Sequence, residues 1–341
     1  MINKKTRLFL ITTVAAFAAL SPVLGAGAEE LTGTRPGPEG QPLELEATLI
    51  LLDLSKIDGA DQSFTADVFL MLRWKDERLA AEVEGPRRLK VDEVWNPRVQ
   101  IINQRRVWTT FPEVVDVQPD GTVIYRQRYY GNFAAPVNLR DFPLDRHSFS
   151  VRLVTPGYGA EDIRIIRIAE FLGEGRSPNL SISDWTIGAF QTRFEPWEIT
   201  PGSRSLASFV GVFEARRRIG YWVGKAFFSV AIIVFMSWIV FWIDPRHVGP
   251  RISVAVTSML TLVAYRFLLG QLLPPVSYLT RLDHFLLGST LLVFITLTQV
   301  AVTSALSGED HLERAAALNR ASRWAFPAAF VLLVVVAAWV V

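Results

Sequence analysis

The chain of 341 residues has no cysteine, so it can form no disulfide, no thiolate metal site and no cysteine nucleophile. Histidine is almost as scarce: His147, His247, His284 and His311 are the only four, and they fall in separate segments without metal-ligand spacing. Neither a Gly-x-Ser-x-Gly elbow nor a glycine-rich phosphate loop occurs. The formal net charge is only +2, and no basic run forms a nucleic-acid patch. These absences argue against an enzyme, a metal or other cofactor, and a nucleic-acid partner.

Charge is also missing locally. Up to about Arg218 the sequence is mixed; beyond it, long runs carry almost none. The pattern predicts a soluble domain followed by a membrane domain, with spans at about 219–243, 250–273, 282–307 and 322–341. A helix rises ~1.5 Å per residue and the hydrocarbon core is ~30 Å thick, so each run can cross or nearly so. At the other end, Lys4, Lys5 and Arg7 precede an apolar stretch and the small residues 26–28, as in a secretory signal peptide over 1–28; a short membrane anchor is the alternative. Export predicts a multi-pass protein of the inner (plasma) membrane, with residues 29–217 in the periplasm or extracellular space and 218–341 in the bilayer. Arg246, Arg314, Arg320 and Arg323 then lie inside, as membrane topology prefers, whereas Arg216, Arg217 and Arg218 lie outside and need a partner.

The soluble part reads as β structure. In "FTADVFLMLRW", Phe64, Ala66, Val68, Leu70, Leu72 and Trp74 share one face, and Phe69 and Met71 lie on the other. "QPDGT" carries the Asp-Gly of a tight hairpin. Short strands between Gly/Pro turns, with no helical period, predict an antiparallel, immunoglobulin-like β-sandwich. In the second span, steps of four and three residues from Gly249 meet Ser253, Thr257, Leu260, Ala264, Phe267 and Gln271. They form one stripe: small and hydroxylated at the inner end, bulky in the middle, polar at the outer end. Lipid offers such hydroxyls nothing. They suit either a water-filled pore lined by a ring of these helices, or helix–helix packing.

"RWKDERL" (73–79), "WNP" (95–97), "PDGTVIY" (119–125), "FPLDRHSF" (142–149) and "LLPPVSY" (272–278) resemble, in order and spacing, the motifs of pentameric ligand-gated ion channels: the Cys-loop receptors and their bacterial relatives. The resemblance covers essentially the whole mature chain. It departs at one point, since the family's disulfide would join the positions of Ala135 and Phe149. It implies a homopentamer in membrane lipid, four spans per subunit, and a small-molecule agonist bound between outer domains to admit inorganic ions.

The resemblance also implies sites. One face of the agonist pocket would offer Trp95, Tyr158, Phe194 and Trp197, and the neighbouring subunit Phe69, Met71, Tyr125 and Arg126. Aromatic boxes suit cations, yet Gln100 and Val154 stand where carboxylates hold the ammonium of an amine-gated bacterial member, which argues against a primary amine. The coupling zone would set Phe142, Pro143 and Asp145 against Pro274, Pro275 and Tyr278, with Arg216–Arg218 paired to Asp145, Asp53 and Asp58. Within the spans, Lys225 would reach the interface, and Arg266 would pair with Asp283. The inner mouth has Gly249-Pro250-Arg251 where cation channels carry an acidic ring. Arg251 would make that mouth positive unless Asp244 neutralises it, and the anion reading is preferred to the cation one. The rival is a membrane-anchored binding or adhesion protein without a pore.

Overall fold

The computed structural model of the chain describes residues 32–168, 175–272, 275–305 and 312–339. The expected signal peptide and Pro274 lie outside them.

The alternation read at residues 64–74 becomes strand β2 (Ser63–Lys75), whose six core-facing side chains are each 2% exposed or less. β2 lies between β1 (Leu43–Asp58) and β7 (Thr122–Ala134) in a sheet ordered β3-β6-β7-β2-β1-β9. Here β3 is Arg87–Lys90, β6 is Val114–Val117, β9 is Ile163–Arg167, and β5 (Gln104–Thr109) also pairs with β7. A second sheet runs β10-β12-β8-β4, with β11 (Gln191–Phe194) paired to β12. Its members are β4 (Gln100–Ile101), β8 (Arg146–Gly159), β10 (Trp185–Ile187) and β12 (Leu206–Arg217). All pairings are antiparallel except β1 with β9.

The two inner faces meet on aromatic rings. Phe64 lies 5.3 Å from both Phe133 and Phe149 and 5.6 Å from Phe213. Rings of this size dominate the burial energy of a sandwich. Ala135 and Phe149, the positions the family's disulfide would join, are both buried apolar residues in this core. The Asp-Gly hairpin forms between β6 and β7: Gly121 has φ +83°, and a Cβ there would come within 2.5 Å of the Asp76 carbonyl oxygen. Only glycine fits that turn.

β12 ends at Arg217, and helix α1 (Gly220–Trp242) begins almost at once. Then follow α2 (Val248–Leu272), α3 (Arg281–Ala305) and α4 (Leu312–Trp339), the last starting well ahead of the expected edge near 322. All four helices are long and apolar enough to cross a membrane. Several of their hydroxyls bond backward along their own helices, as when Thr296 donates to Leu292 O at 3.1 Å and Ser237 to Val234 O at 2.7 Å. Such a bond satisfies a hydroxyl without water. In α1, residues Val223–Phe228 wind as a wider π-type turn, and the Lys225 carbonyl accepts from the Tyr265 hydroxyl of α2.

Candidate functional site

Residues 139–145, between β7 and β8, rest on the membrane helices. Leu139 N donates to the Tyr278 hydroxyl at 2.8 Å, and Arg281 N donates to Arg140 O at 3.0 Å. The Phe142 ring meets Trp222 of α1 edge-on at 4.7 Å. Arg281 binds Asp141 at 2.7 Å and also donates to the Ala338 carbonyl near the end of α4 at 2.6 Å. One arginine therefore ties the outer domain to two helices; sequence reading passed over it. Phe142, Pro275, Tyr278 and Asp283 line a cavity of about 480 Å³ at this joint. Pro143 is buried beside them.

Asp145 is 1% exposed and accepts from Arg217 Nε at 2.8 Å and Nη2 at 3.0 Å, with His147 Nε2 at 2.8 Å on its other side. Arg217 lies over the rings of Trp185 at 4.1 Å and Phe142 at 4.8 Å. Burial alone would raise the Asp145 carboxyl, but its bonds from His147 and Arg217 outweigh that and hold it below its ordinary range. The expected set of arginine–carboxylate pairs reduces to this one. Arg216 is exposed, opposite Arg146 in the β8 register, and Arg218 donates to Ser183 O at 3.1 Å. Asp53 instead accepts from Ser181 N at 2.6 Å, and Asp58 holds Lys56 at 2.6 Å. Alternation along β12 is the reason, because neighbouring arginines cannot face the same carboxylate.

On α2, Gly249, Ser253, Thr257, Leu260, Ala264, Phe267 and Gln271 are all exposed, Leu260 by 65% and Phe267 by 73%. The opposite side buries Arg251, Ala255, Ser258, Leu262 and Leu269. The helix thus packs on one face within the subunit and leaves the predicted stripe open. Lys225 donates to Tyr221 Oη at 2.7 Å, near the outer end of α1. Two charges differ from expectation. Asp283 caps α3 by accepting from Thr280 N at 2.9 Å and does not pair with Arg266, which is exposed beside the stripe. Arg251 is fully buried and donates to Asn319 Oδ1 of α4 at 2.9 Å, so it neither faces the stripe nor pairs with Asp244.

The aromatic residues divide similarly. Trp95 is 2% exposed, lies edge-on to Trp74, and donates from Nε1 to the Tyr158 hydroxyl at 2.8 Å. It positions Tyr158 rather than presenting its own surface. Gln100 is exposed and stands opposite Val154 in the β4–β8 register. Phe194 stacks on Phe209, and half-buried Trp197 exchanges two backbone bonds with Leu206 at the base of the 198–205 loop. Arg204 in that loop binds Glu161 and Asp162, each at 2.6 Å. On the other sheet, Phe69, Met71 and Arg126 share the non-core face, where Phe69 pairs with Arg128 and Met71 with Arg126. Met71 is nearly covered by its own subunit, and Arg126 is bound to Asp116 at 2.7 Å. Tyr125, next to Arg126 on one strand, points to the opposite face beside Leu72, and burial raises its hydroxyl's pKa. It does not belong with Phe69.

Comparison with known proteins meets this geometry of sandwich, joint and four helices. Residues 32–193 match the neurotransmitter-gated ion-channel ligand binding domain, and residues 230–314 match the neurotransmitter-gated ion-channel transmembrane region. The chain belongs to the pentameric ligand-gated ion channel family. Among its relatives, a proton-gated ion channel of Gloeobacter violaceus is 25% identical over 323 residues, covering 93% of this chain and 88% of that protein. A gamma-aminobutyric acid receptor subunit beta of Caenorhabditis elegans is 26% identical over 284 residues, 79% of this chain and 50% of the nematode protein. The rho-3 subunit of Rattus norvegicus is 26% identical over 297 residues, with 84% and 63% covered. This chain is therefore a multi-pass membrane protein with an extracellular domain, from a family of channels and not of enzymes, and its lack of cysteine removes the disulfide that gives the Cys-loop receptors their name.

Proposed function

We propose that five copies of the chain assemble in a bacterial inner membrane into an anion-permeable channel. A small-molecule agonist binds between outer domains to open a pore lined by α2. The observation that carries this reading is the α2 stripe: seven residues in helical register, all exposed, opposite a face that is buried. Rings of Thr257 and Ser253 can face water there, while rings of Leu260 and Phe267 can close the path by dewetting. Tyr158, Phe194 and Trp197 belong to one side of the agonist site, and Phe69 with Arg126 to the other. Phe142, Pro143, Asp145 and Arg217 act with Pro275 and Tyr278 as the coupling joint. The absence of a carboxylate on the stripe's inner end, together with the gamma-aminobutyric acid receptor relatives, favours anions over cations.

Recording from purified protein in a planar bilayer under a NaCl gradient tests this. Agonist-evoked currents reversing near the chloride equilibrium potential are expected; reversal near the sodium potential removes the anion reading, and the absence of channels removes the pore. A second reading takes the proton as agonist. It rests on the proton-gated relative, which aligns over 93% of this chain, and on His147 bonded to Asp145 at the joint. Currents evoked by acidification alone, without added ligand, would decide for it.

A further inference from the structure

The second sheet carries a cavity of about 490 Å³ on its outward face, near the membrane end of the sandwich. Arg146 and Ser148 line it from β8, Glu214 and Arg216 from β12, and Thr186 from β10. Alternation along β12 sets it up: Phe213 and Ala215 are buried in the core, so Glu214 and Arg216 point outward. In the β8–β12 register Arg216 stands directly opposite Arg146, and Glu214 opposite Ser148. Like charges facing each other across two strands destabilise a sheet. Among the described residues no hydrogen bond or ion pair reaches the side chain of Arg146, Arg216 or Glu214. Their neighbours are engaged, Arg217 with Asp145 and Arg218 with Ser183 O.

The bilayer is close to this cavity. Arg216 stands just ahead of α1, which begins at Gly220, and Leu144, Ile219 and Tyr221 are exposed around that level. Arginines beside exposed aliphatic and aromatic side chains suit a membrane interface, where guanidinium meets phosphate and the apolar groups meet acyl chains.

We propose that the cavity binds the headgroup of an ethanolamine phospholipid from the outer leaflet. Arg146 and Arg216 hold the phosphate, whose oxygens match their planar forks, and the bound anion relieves the repulsion between them. Glu214 takes the ammonium. It lies one two-residue step up the strand from Arg216, about 7 Å, within reach of a phosphate and an ammonium joined by two carbons as the side chains converge. That carboxylate selects the lipid: it repels a purely anionic headgroup, and a quaternary ammonium has no N–H to donate to it. The site needs only the sandwich resting on a bilayer, so it stands or falls apart from the pore and its ion preference.

The test uses the full-length protein, delipidated in detergent and titrated with short-chain phosphatidylethanolamine, phosphatidylglycerol and phosphatidylcholine, with bound lipid counted by native mass spectrometry. The ethanolamine lipid is expected to bind about fivefold more tightly than the other two. Arg216→Gln should weaken it by about tenfold, and Glu214→Gln should abolish the preference while phosphate binding persists. Wild type without a preference, or Glu214→Gln that keeps one, would overturn the ethanolamine assignment. If Arg216→Gln does not assemble, Arg146→Gln on the facing strand gives the same decision; wild-type affinity in either variant would overturn the site. Soluble phosphoethanolamine that displaces the lipid at equal concentration would make the ligand a soluble one and overturn the lipid.

Discussion

The indole Nε1 of Trp238 donates to the carbonyl oxygen of Arg323 at 3.1 Å, and that oxygen is the acceptor that Pro327, four residues on in α4, leaves without a helical donor. Arg323 reciprocates: its Nε donates to Phe241 O at 3.0 Å, and its guanidinium lies 4.7 Å from the centre of the Trp242 ring. The proline gap thus becomes a fastening between α1 and α4.

Trp238→Phe keeps most of the ring and loses the donor. It should cost about 1 kcal/mol, read as a lower melting temperature of the detergent-solubilised protein. In a Pro327→Ala background the helix regains its own bond, and the same substitution should then cost much less. Equal costs in both backgrounds would separate the indole from the proline.

Arg217→Met leaves the Asp145 carboxylate buried with His147 alone. Breaking one side of such a buried pair costs about 3 kcal/mol, so the melting temperature should fall by several degrees. The folded Asp145 lies below its ordinary value of 3.8. The stability it contributes is therefore complete above that pH and lost as the pH falls through its folded value. The gap between wild type and Arg217→Met should accordingly be widest near neutrality and narrow in acid below 3.8. A gap independent of pH would mean that packing on Trp185, not the ion pair, is what Arg217 supplies.

Tyr278→Phe removes the hydroxyl that accepts from Leu139 N, a hydrogen bond crossing from membrane domain to outer domain. If the joint passes motion, this variant should need more agonist, by roughly threefold to tenfold in half-maximal concentration for a bond worth about 1 kcal/mol. An unchanged dose–response, with normal surface assembly, would place the coupling in Arg281 and Asp141 instead.

Leu260→Ser should let the ring at mid-pore stay wet, so channels open without agonist or at lower concentration. Gly249→Glu places a carboxylate at the inner end of the same stripe and should move the reversal potential toward the sodium equilibrium value. Both effects depend on these residues facing ions. If neither appears, α2 does not line the path.

How much of this was legible in the sequence depended on range. The β2 alternation and the α2 stripe repeat within a few residues, so their periods reveal which side chains share a face. Tyr125 shows the same rule neglected: grouping it with Arg126 ignored that strand neighbours point to opposite faces. The outer arginines signalled a need for partners, but choosing Arg217 over Arg216 and Arg218 requires the register of β12 against β8 and β10, which only folding sets. The family resemblance of its motif puts Trp95 on one face of the agonist pocket; its burial follows from the Trp74 and Tyr158 rings that meet it in space. Asn319 and Arg281 were beyond reach, since each bonds to residues far away in the chain and neither lies in a recognisable local pattern.

Ala135 and Phe149 fill with hydrocarbon the place where a covalent staple could have stood, and the residue 136–145 segment is held by hydrogen bonds with Gln62, Tyr278 and Arg281. Folding of the outer domain is thereby independent of the redox state of its surroundings, and reducing agents are expected to leave it intact. The whole chain is also a thiol-free background. A single cysteine introduced at Leu260 or Gln271 would be the one reactive sulfur in each subunit, so a spin label or fluorophore could report the opening of the α2 ring directly, without first stripping native cysteines from the protein.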